Sequence, residues 1–522
     1  MPWNKKRLEE IARSRLQGAR LLVVANREPF IHVYDGDRIR CLKPASGLTT
    51  ALDPVMRACG GTWVAHGSGE ADRDVVDERD CISVPPESPS YKLRRVWLTK
   101  EEEQGYYYGI ANECLWPLCH VVYNRPQFHP DHWEQYRRVN QKFANAVLDE
   151  VDNGPATVFV QDYHFGLLPR MLKRARPDLV VMQFWHIPWP NREVMRICPW
   201  REELLDGLLG NDLLSFHIQY HCNNFLDTVD RAIEAKVDME RFSVTREGHT
   251  TLVQPHPISI DFEAIADFAP QDIHQEEIDL RKRLRVHKQQ LLVGIDRVDY
   301  TKGIPERFQA VDRLLTLHPD VKGQFHLVQV GAPSRVHIPA YRDLNEHLAE
   351  LAEQINWRHG TSAWKPIVFL NEHFSAEQVY ALYRIATACI VSSLHDGMNL
   401  VAKEFVAART DCRGTLVLSQ FTGAARELTD ALLINPYDKD GFAEALYQAL
   451  VMPADEQERR MRRLRTHVAD QNIYRWAGQL LSSGAKLMGS EPHVRLDVPT
   501  QNQPNSPHLH DSLTENVYGS KE

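Results

Sequence analysis

VSSLHDGMNLVAKEFVA, residues 391 to 407, reads as the end of a buried strand, a polar turn and the opening of a helix. The apolar run Ala388 to Val391 stops at Ser392 and Ser393. A turn containing Asp396 and Gly397 follows, and helical patterning resumes at Leu400. A helix that opens directly after a strand presents unpaired N–H groups, which favour an anion, usually a phosphate. Glu404 stands eight residues after Asp396, about two helical turns along, where a carboxylate can accept from a sugar diol. Taken alone, DGMN is an ordinary strand-to-helix turn, and its weight comes from the rest of the chain.

The strand-then-helix pattern recurs on both sides of this stretch. QLLVGIDRVDYTKGIPERF carries a strand from Leu291 to Ile295, then Arg297 and Lys302, then a helix near Pro305, a residue suited to a first helical turn. Two cations in one loop can clamp a diphosphate. HLVQVGAPSR leaves Arg335 at a strand end, and PIVFLNEHF leaves His373 and Phe374. Nearer the start, Leu21 to Ala25 is a strand ending at Asn26 and Arg27. Ser46 and Gly47 precede a helix from Leu48 to Ala58 as a second phosphate cradle, and a short strand ends at His66. The cluster Tyr106 to Tyr108 with Trp116 is core or sugar platform. Glu134 to Val151 is an amphipathic helix. Two near-continuous apolar strands follow, one ending in Asp162 and His164 and the other in His186. Such strands belong to a parallel sheet covered on both faces, with ligands at the strand carboxyl ends. Asp162, His164 and His186 lack a recognised metal-ligand spacing, so no metal and no cofactor is expected.

Composition bounds the class. The chain has 522 residues, enough for two or three domains, and a net charge of −9, which gives no pull toward nucleic acid. Its nine cysteines form no CxxC pair, as in a cytoplasmic protein with reduced thiols. No apolar run reaches the roughly 18 residues of a membrane span, and the charged start is unlike a secretory signal. Residues 5 to 17 read as an exposed helix and residues 461 to 488 as helical. The polar, Pro-rich stretch from 489 to 522 reads as a disordered tail. There is no GxGxxG after the first strand and no GxxxxGK[ST], which argues against a dinucleotide enzyme or a P-loop kinase.

Asn26-Arg27, QDYHFGLLP (161–169), HIPWP (186–190), DRVDYTKGIPERF (296–308), PSR (333–335), HF (373–374) and DGMNLVAKEFVA (396–407) together resemble the retaining glycosyltransferases that make trehalose 6-phosphate, glycosyltransferase family 20. The resemblance covers about residues 20 to 480 and rests on long, nearly unbroken motifs. It implies an α/β protein of the GT-B fold, two Rossmann-like domains facing across a deep cleft. The expected division is an acceptor domain over 1–258, a nucleotide-sugar domain over 259–470, and a helix over 471–488 returning to the first domain. It also implies a nucleotide-sugar donor, typically UDP-glucose, and glucose 6-phosphate as acceptor. Only the synthase module is expected here, with no membrane or nucleic-acid partner; a homo-oligomer is compatible with it.

Carried over by position, the resemblance gives Arg297 and Lys302 the donor diphosphate, with Ser46 and Gly47 approaching through backbone N–H. Phe374 falls beside the nucleobase and Glu404 on the ribose. Asp396, Gly397, Met398, Asn399 and Leu400 fall on donor sugar and phosphates, and His186 on the donor sugar. Arg27, Tyr107, Asp162 and Arg335 fall on the acceptor, the two arginines on its phosphate. Trp116 and Ile187 stand where the family shapes the anomeric outcome. Arg297, Lys302, His186 and Asp396 are the expected catalytic set. The chain departs from the family at Ser46, where glycine is common, at His66, where tryptophan is usual, and at His395, often arginine. A histidine beside an acceptor phosphate is expected to be protonated. Other readings are a transferase with another phosphorylated acceptor, such as glycerol 3-phosphate or a cyclitol phosphate, and a non-catalytic homologue.

Overall fold

The computed structural model describes residues 3–44, 47–268, 273–286, 289–335 and 337–488. Two sheets organise it. The first has ten strands, and its parallel centre runs in space as His249–Pro255, Leu213–Phe216, Val180–Phe184, Ala156–Gln161, Arg20–Ala25, Thr62–His66 and Tyr91–Val96. The short strands Cys81–Val84 at one edge and Lys236–Asp238 with Ser243–Arg246 at the other pair antiparallel. The second sheet has six parallel strands, in the order Ile367–Leu370, Phe325–Ala332, Gln290–Arg297, Ala388–Val391, Thr415–Ser419 and Leu432–Ile434.

The central strands are apolar throughout because helices cover both faces. Every residue of Ala156–Gln161 and Val180–Phe184 is buried, as parallel sheets require. In each sheet the chain starts in the middle, builds outward to one side, then returns to build the other. Strand order therefore reverses between Arg20–Ala25 and Ala156–Gln161 in the first sheet. It reverses between Gln290–Arg297 and Ala388–Val391 in the second. Loops diverge to opposite faces at such a point and leave a crevice at the strand carboxyl ends. Arg27 and Asp162 follow the first pair of strands; Arg297, Lys302 and the 392–399 turn follow the second.

Three features differ from the sequence reading. The helix Lys5–Leu16 is not exposed all round: Leu8, Ala12 and Leu16 are buried. Residues 461 to 488 are not one helix. Ala454–Asp470 stops, and Ile473–Met488 restarts at Asn472, whose side chain accepts from Arg475 N–H and donates to Trp3 O. This last helix packs on the first sheet, with Trp476 against Phe184 at 5.3 Å between ring centroids. The segment Gln104–Leu115 is a π-helix of 12 residues. Wide turns of this kind are rare and cluster at functional sites; no side-chain periodicity announces them. The expectations for Ser46 and for the tail from 489 lie outside the described residues.

Candidate active site

The 392–399 turn is built around one carboxylate. Asp396 Oδ2 accepts from Lys302 Nζ at 2.5 Å, from Ser393 Oγ at 3.2 Å and from Asn399 Nδ2 at 3.2 Å. Burial by itself would raise the Asp396 pKa, but Lys302 and these donors outweigh it and hold the group ionised, well below the usual range. Asn399 caps the helix Leu400–Ala408 by accepting from Ala402 N–H, and takes φ 132° to do so. A non-glycine residue there is strained, and strain of this kind collects at ligand clamps. Gly397 passes so close to His186 O that an added Cβ would lie 2.4 Å from it, so the turn from the second sheet touches the strand end of the first. His395 Nδ1 meets His120 O at 2.8 Å across the same gap.

Beside this turn three arginines converge on one tyrosine. Arg27 Nη2 donates to Tyr107 Oη at 2.8 Å. Arg335, buried, is paired with Asp299 Oδ2 at 3.1 Å, donates to Tyr341 Oη at 2.6 Å, and lies 4.3 Å above the Trp116 ring. Arg297 is 5.7 Å from that ring, and its guanidinium has no hydrogen bond or ion pair among the described residues. Burial would raise the Tyr107 pKa, yet Arg27, Arg335 and Arg297 together pull it below the ordinary phenol value. Three guanidiniums with only Arg335 ion-paired among the described residues, to Asp299, leave a net positive charge suited to phosphate. The π-helix places Tyr107, and the short helix Trp116–His120 that follows it places Trp116, where these cations meet.

Asp162 sits between the two ends. It takes φ 73°, and its Oδ1 accepts from Tyr163 N–H at 2.9 Å and His186 N–H at 3.2 Å. Burial pushes its pKa up to about 7, against those donors and the Arg335 and Arg297 charges. His186 is held by Gln161 at 2.9 Å, and burial lowers it to about 3, so the ring is neutral. Ile187 and Trp116 are both buried within the same wall.

On the far side of the 392–399 turn lies a cavity of about 270 Å³, whose lining includes Gly47, Leu400, Glu404, Tyr380, Lys43 and Asp261. Glu404 accepts no hydrogen bond from the described residues, and burial raises it to about 7. Phe374, expected beside the nucleobase, is 5% exposed and packed in the core, with the Arg283 guanidinium 4.6 Å over its ring. His66 departs from its expectation. Burial, then the Arg27 charge, lower it to about 4, so it is neutral rather than protonated. Sequence reasoning missed Asp299, Tyr341 and His120, which hold Arg335, Arg335 and His395 respectively. Tyr341, six residues after Arg335, lay within local reach of the sequence, whereas Asp299, 36 residues before it, and His120 carried no signal. No group of three or more His, Cys, Asp or Glu side chains arranged to hold a metal occurs among the described residues. No helix among them is long and apolar enough to cross a membrane.

The family model for glycosyltransferase family 20 matches residues 19–486. A trehalose-6-phosphate synthase of Mycobacterium avium is 38% identical over 475 residues, covering 89% of this chain and 95% of that protein. A bifunctional trehalose-6-phosphate synthase/phosphatase of Thermoproteus tenax is 36% identical over 89% of this chain, which spans 63% of its length. Two solved structures superpose with a TM-score of 0.80. The E. coli protein bound with UDP-2-fluoro glucose is 31% identical, over 90% of this chain and 99% of that one. A UDP-forming alpha,alpha-trehalose-phosphate synthase from Burkholderia xenovorans, in complex with glucose-6-phosphate, is 29% identical, over 89% and 100%.

Proposed function

This chain belongs to glycosyltransferase family 20 and has its GT-B fold, and we propose that it transfers glucose from UDP-glucose to glucose 6-phosphate, giving α,α-trehalose 6-phosphate and UDP. The observation that carries this reading is the meeting of Arg27 and Arg335, one from each sheet, over Tyr107 and Trp116. A cationic end made by both halves of the cleft fits a phosphorylated acceptor better than a neutral sugar. The solved relatives that hold a UDP-glucose analogue and glucose 6-phosphate support the same pair of substrates.

In this reading the donor diphosphate lies against Arg297, Lys302 and the N–H groups that open Leu400–Ala408. The ribose hydroxyls reach the Glu404 carboxylate, and the base enters the adjoining cavity. Gly47 approaches through its backbone. Asp396, held ionised by Lys302, and the neutral His186 orient the donor sugar. Arg27, Tyr107 and Arg335 take the acceptor phosphate, and Asp162 accepts from an acceptor hydroxyl. Trp116 and Ile187 form the wall that fixes which face of the acceptor meets the donor carbon.

The bond from the donor anomeric carbon to the diphosphate oxygen breaks as the bond to the acceptor's anomeric oxygen forms on the same face. The acceptor proton passes to the departing phosphate oxygen, so configuration is retained without a protein nucleophile. The chain contributes charge aimed at the leaving diphosphate and alignment of the acceptor. A cytoplasmic site of action, with no membrane or nucleic-acid partner, belongs to the same reading; the net charge of −9 and the unpaired thiols support it. The deciding experiment incubates the protein with UDP-glucose and glucose 6-phosphate and measures UDP and disaccharide phosphate. A panel with free glucose, glycerol 3-phosphate and a cyclitol phosphate tests the acceptor. Faster turnover of another phosphorylated acceptor would overturn the assignment.

A further inference from the structure

Directly behind Arg27 lies a buried charge cluster that the reaction as described does not use. Glu28 is 1% exposed. Its Oε1 accepts from Ser68 N–H at 2.8 Å and Ser68 Oγ at 3.0 Å, and its Oε2 accepts from Arg95 Nε at 2.9 Å. The same guanidinium is 2.8 Å from Asp72 Oδ1, and donates to Phe30 O and Asp72 O. Asp72, wholly buried, also accepts from Gly69 N–H and His32 N–H. The Glu28 and Asp72 carboxyls thus meet on one guanidinium, 2.9 and 2.8 Å from it. Two buried carboxyls facing a single guanidinium favour retention of one proton, because buried like charges close together repel.

The groups facing Glu28 come from every element around it. Arg95 comes from Tyr91–Val96, Asp72 from the 72–74 turn, and His32 and Cys41 from the hairpin Ile31–Asp35/Arg38–Leu42. Arg27 precedes it, and His66 ends the neighbouring strand. The core of the cluster sets two carboxyls against one guanidinium, with His32 Nδ1 2.9 Å from Arg95 Nη2 and 3.2 Å from Asp72 Oδ1. Its charge balances only while one proton is held among Glu28, Asp72 and His32. The cluster joins the loop that follows Arg20–Ala25 to the loop that follows Thr62–His66. Arg27 itself, exposed and hydrogen-bonded only through Tyr107 among the described residues, relies on that backbone for its position.

We propose that Glu28, sharing one proton with Asp72 beneath Arg95, is a positioning residue for the sugar-phosphate end of the cleft, and that its ionisation loosens the backbone carrying Arg27. This rests on the transferase reading above. Burial, followed by the contact with Asp72, raises Glu28 to about 8, which puts the loss of that proton in an accessible range. Ionisation leaves one uncompensated buried negative charge, which burial penalises. It also sets that charge one residue from the phosphate-binding arginine. The effect belongs to acceptor binding and not to the donor end, which lies across the cleft.

The test is steady-state kinetics of the full chain with UDP-glucose and glucose 6-phosphate across pH, for the unaltered protein, Glu28→Gln, Asp72→Asn and Glu28→Ala. In the unaltered protein the acceptor KM should rise about tenfold for each pH unit above about 8, with donor KM and kcat moving far less. Glu28→Gln and Asp72→Asn each leave one carboxylate against Arg95 without needing a proton, so each should lose that alkaline rise while the acceptor KM near neutral pH stays within about threefold. Glu28→Ala, which removes the Ser68 contacts, should weaken the acceptor at every pH. Should one charge-balanced variant not fold, the other carries the same comparison. A flat acceptor KM in the unaltered protein, or an alkaline rise that persists in a folded charge-balanced variant, overturns the proposal. Absence of any UDP release by the unaltered protein overturns the transferase reading instead.

Discussion

Lys302 Nζ lies 2.5 Å from Asp396 Oδ2, although 94 residues separate them. The contact ties the loop after Gln290–Arg297 to the turn that opens Leu400–Ala408, across the reversal point of the second sheet. Both groups are largely buried, so removing one leaves the other exposed to the full desolvation penalty.

Lys302→Ala should therefore do two things. It removes a cation from the leaving diphosphate, which should lower turnover by about 10²-fold or more. It also strands a buried carboxylate, which should cost about 3–5 kcal/mol of stability. Asp396→Asn should be milder on thermal melting. UDP release and melting curves report the two effects separately, and near-normal turnover in Lys302→Ala would remove it from the mechanism.

Arg27 and Arg335 should part company on stability. Arg27 is exposed, and its one hydrogen bond among the described residues is to Tyr107. Arg335 is buried and paired with Asp299. Loss of either should raise the glucose 6-phosphate KM, on the order of tenfold or more for a charged hydrogen bond to phosphate. Only Arg335→Ala should also lower the melting temperature. Both should narrow the preference for glucose 6-phosphate over free glucose; an unchanged preference would take the arginines off the acceptor.

Burial raises Glu404 and Asp162 to about 7 each. Both are proposed to act as carboxylates, so binding should improve as pH rises through about 7. Donor KM should follow Glu404 and acceptor KM should follow Asp162. Glu404→Gln should abolish the first dependence and leave the second. The sign for stability is opposite. The folded state keeps a proton that unfolded Glu404 loses near 4.5, so folding weakens as pH climbs from about 4.5 to 7 and levels off above. Chemical denaturation of the unaltered protein and Glu404→Gln at several pH values checks this.

His66 should contribute no titration to acceptor binding between about pH 5.5 and 8, because burial and Arg27 hold it neutral down to about 4. His66→Gln should leave the shape of the acceptor pH profile intact while changing pocket volume. A profile that flattens in His66→Gln would restore the protonated histidine expected from the sequence.

The sequence determined the strands and the polar groups at their ends. Runs such as Ala388 to Val391, and Leu21 to Ala25, are buried on both faces, and apolarity on both faces is a local property. The unbroken motifs 296–308 and 396–407 likewise carried the family, because each keeps its residues within one loop and one helix turn. What the tertiary structure decided is which of those ends meet. Arg27 and Arg335 are brought together over Tyr107 and Trp116 only by the joining of two sheets. The π-helix that presents Tyr107 and leads into Trp116 has no periodic signature in its side chains. His66 shows the same limit from the other side. A chain position names the residue, but burial sets whether an imidazole is charged, and burial is fixed by segments distant in the sequence.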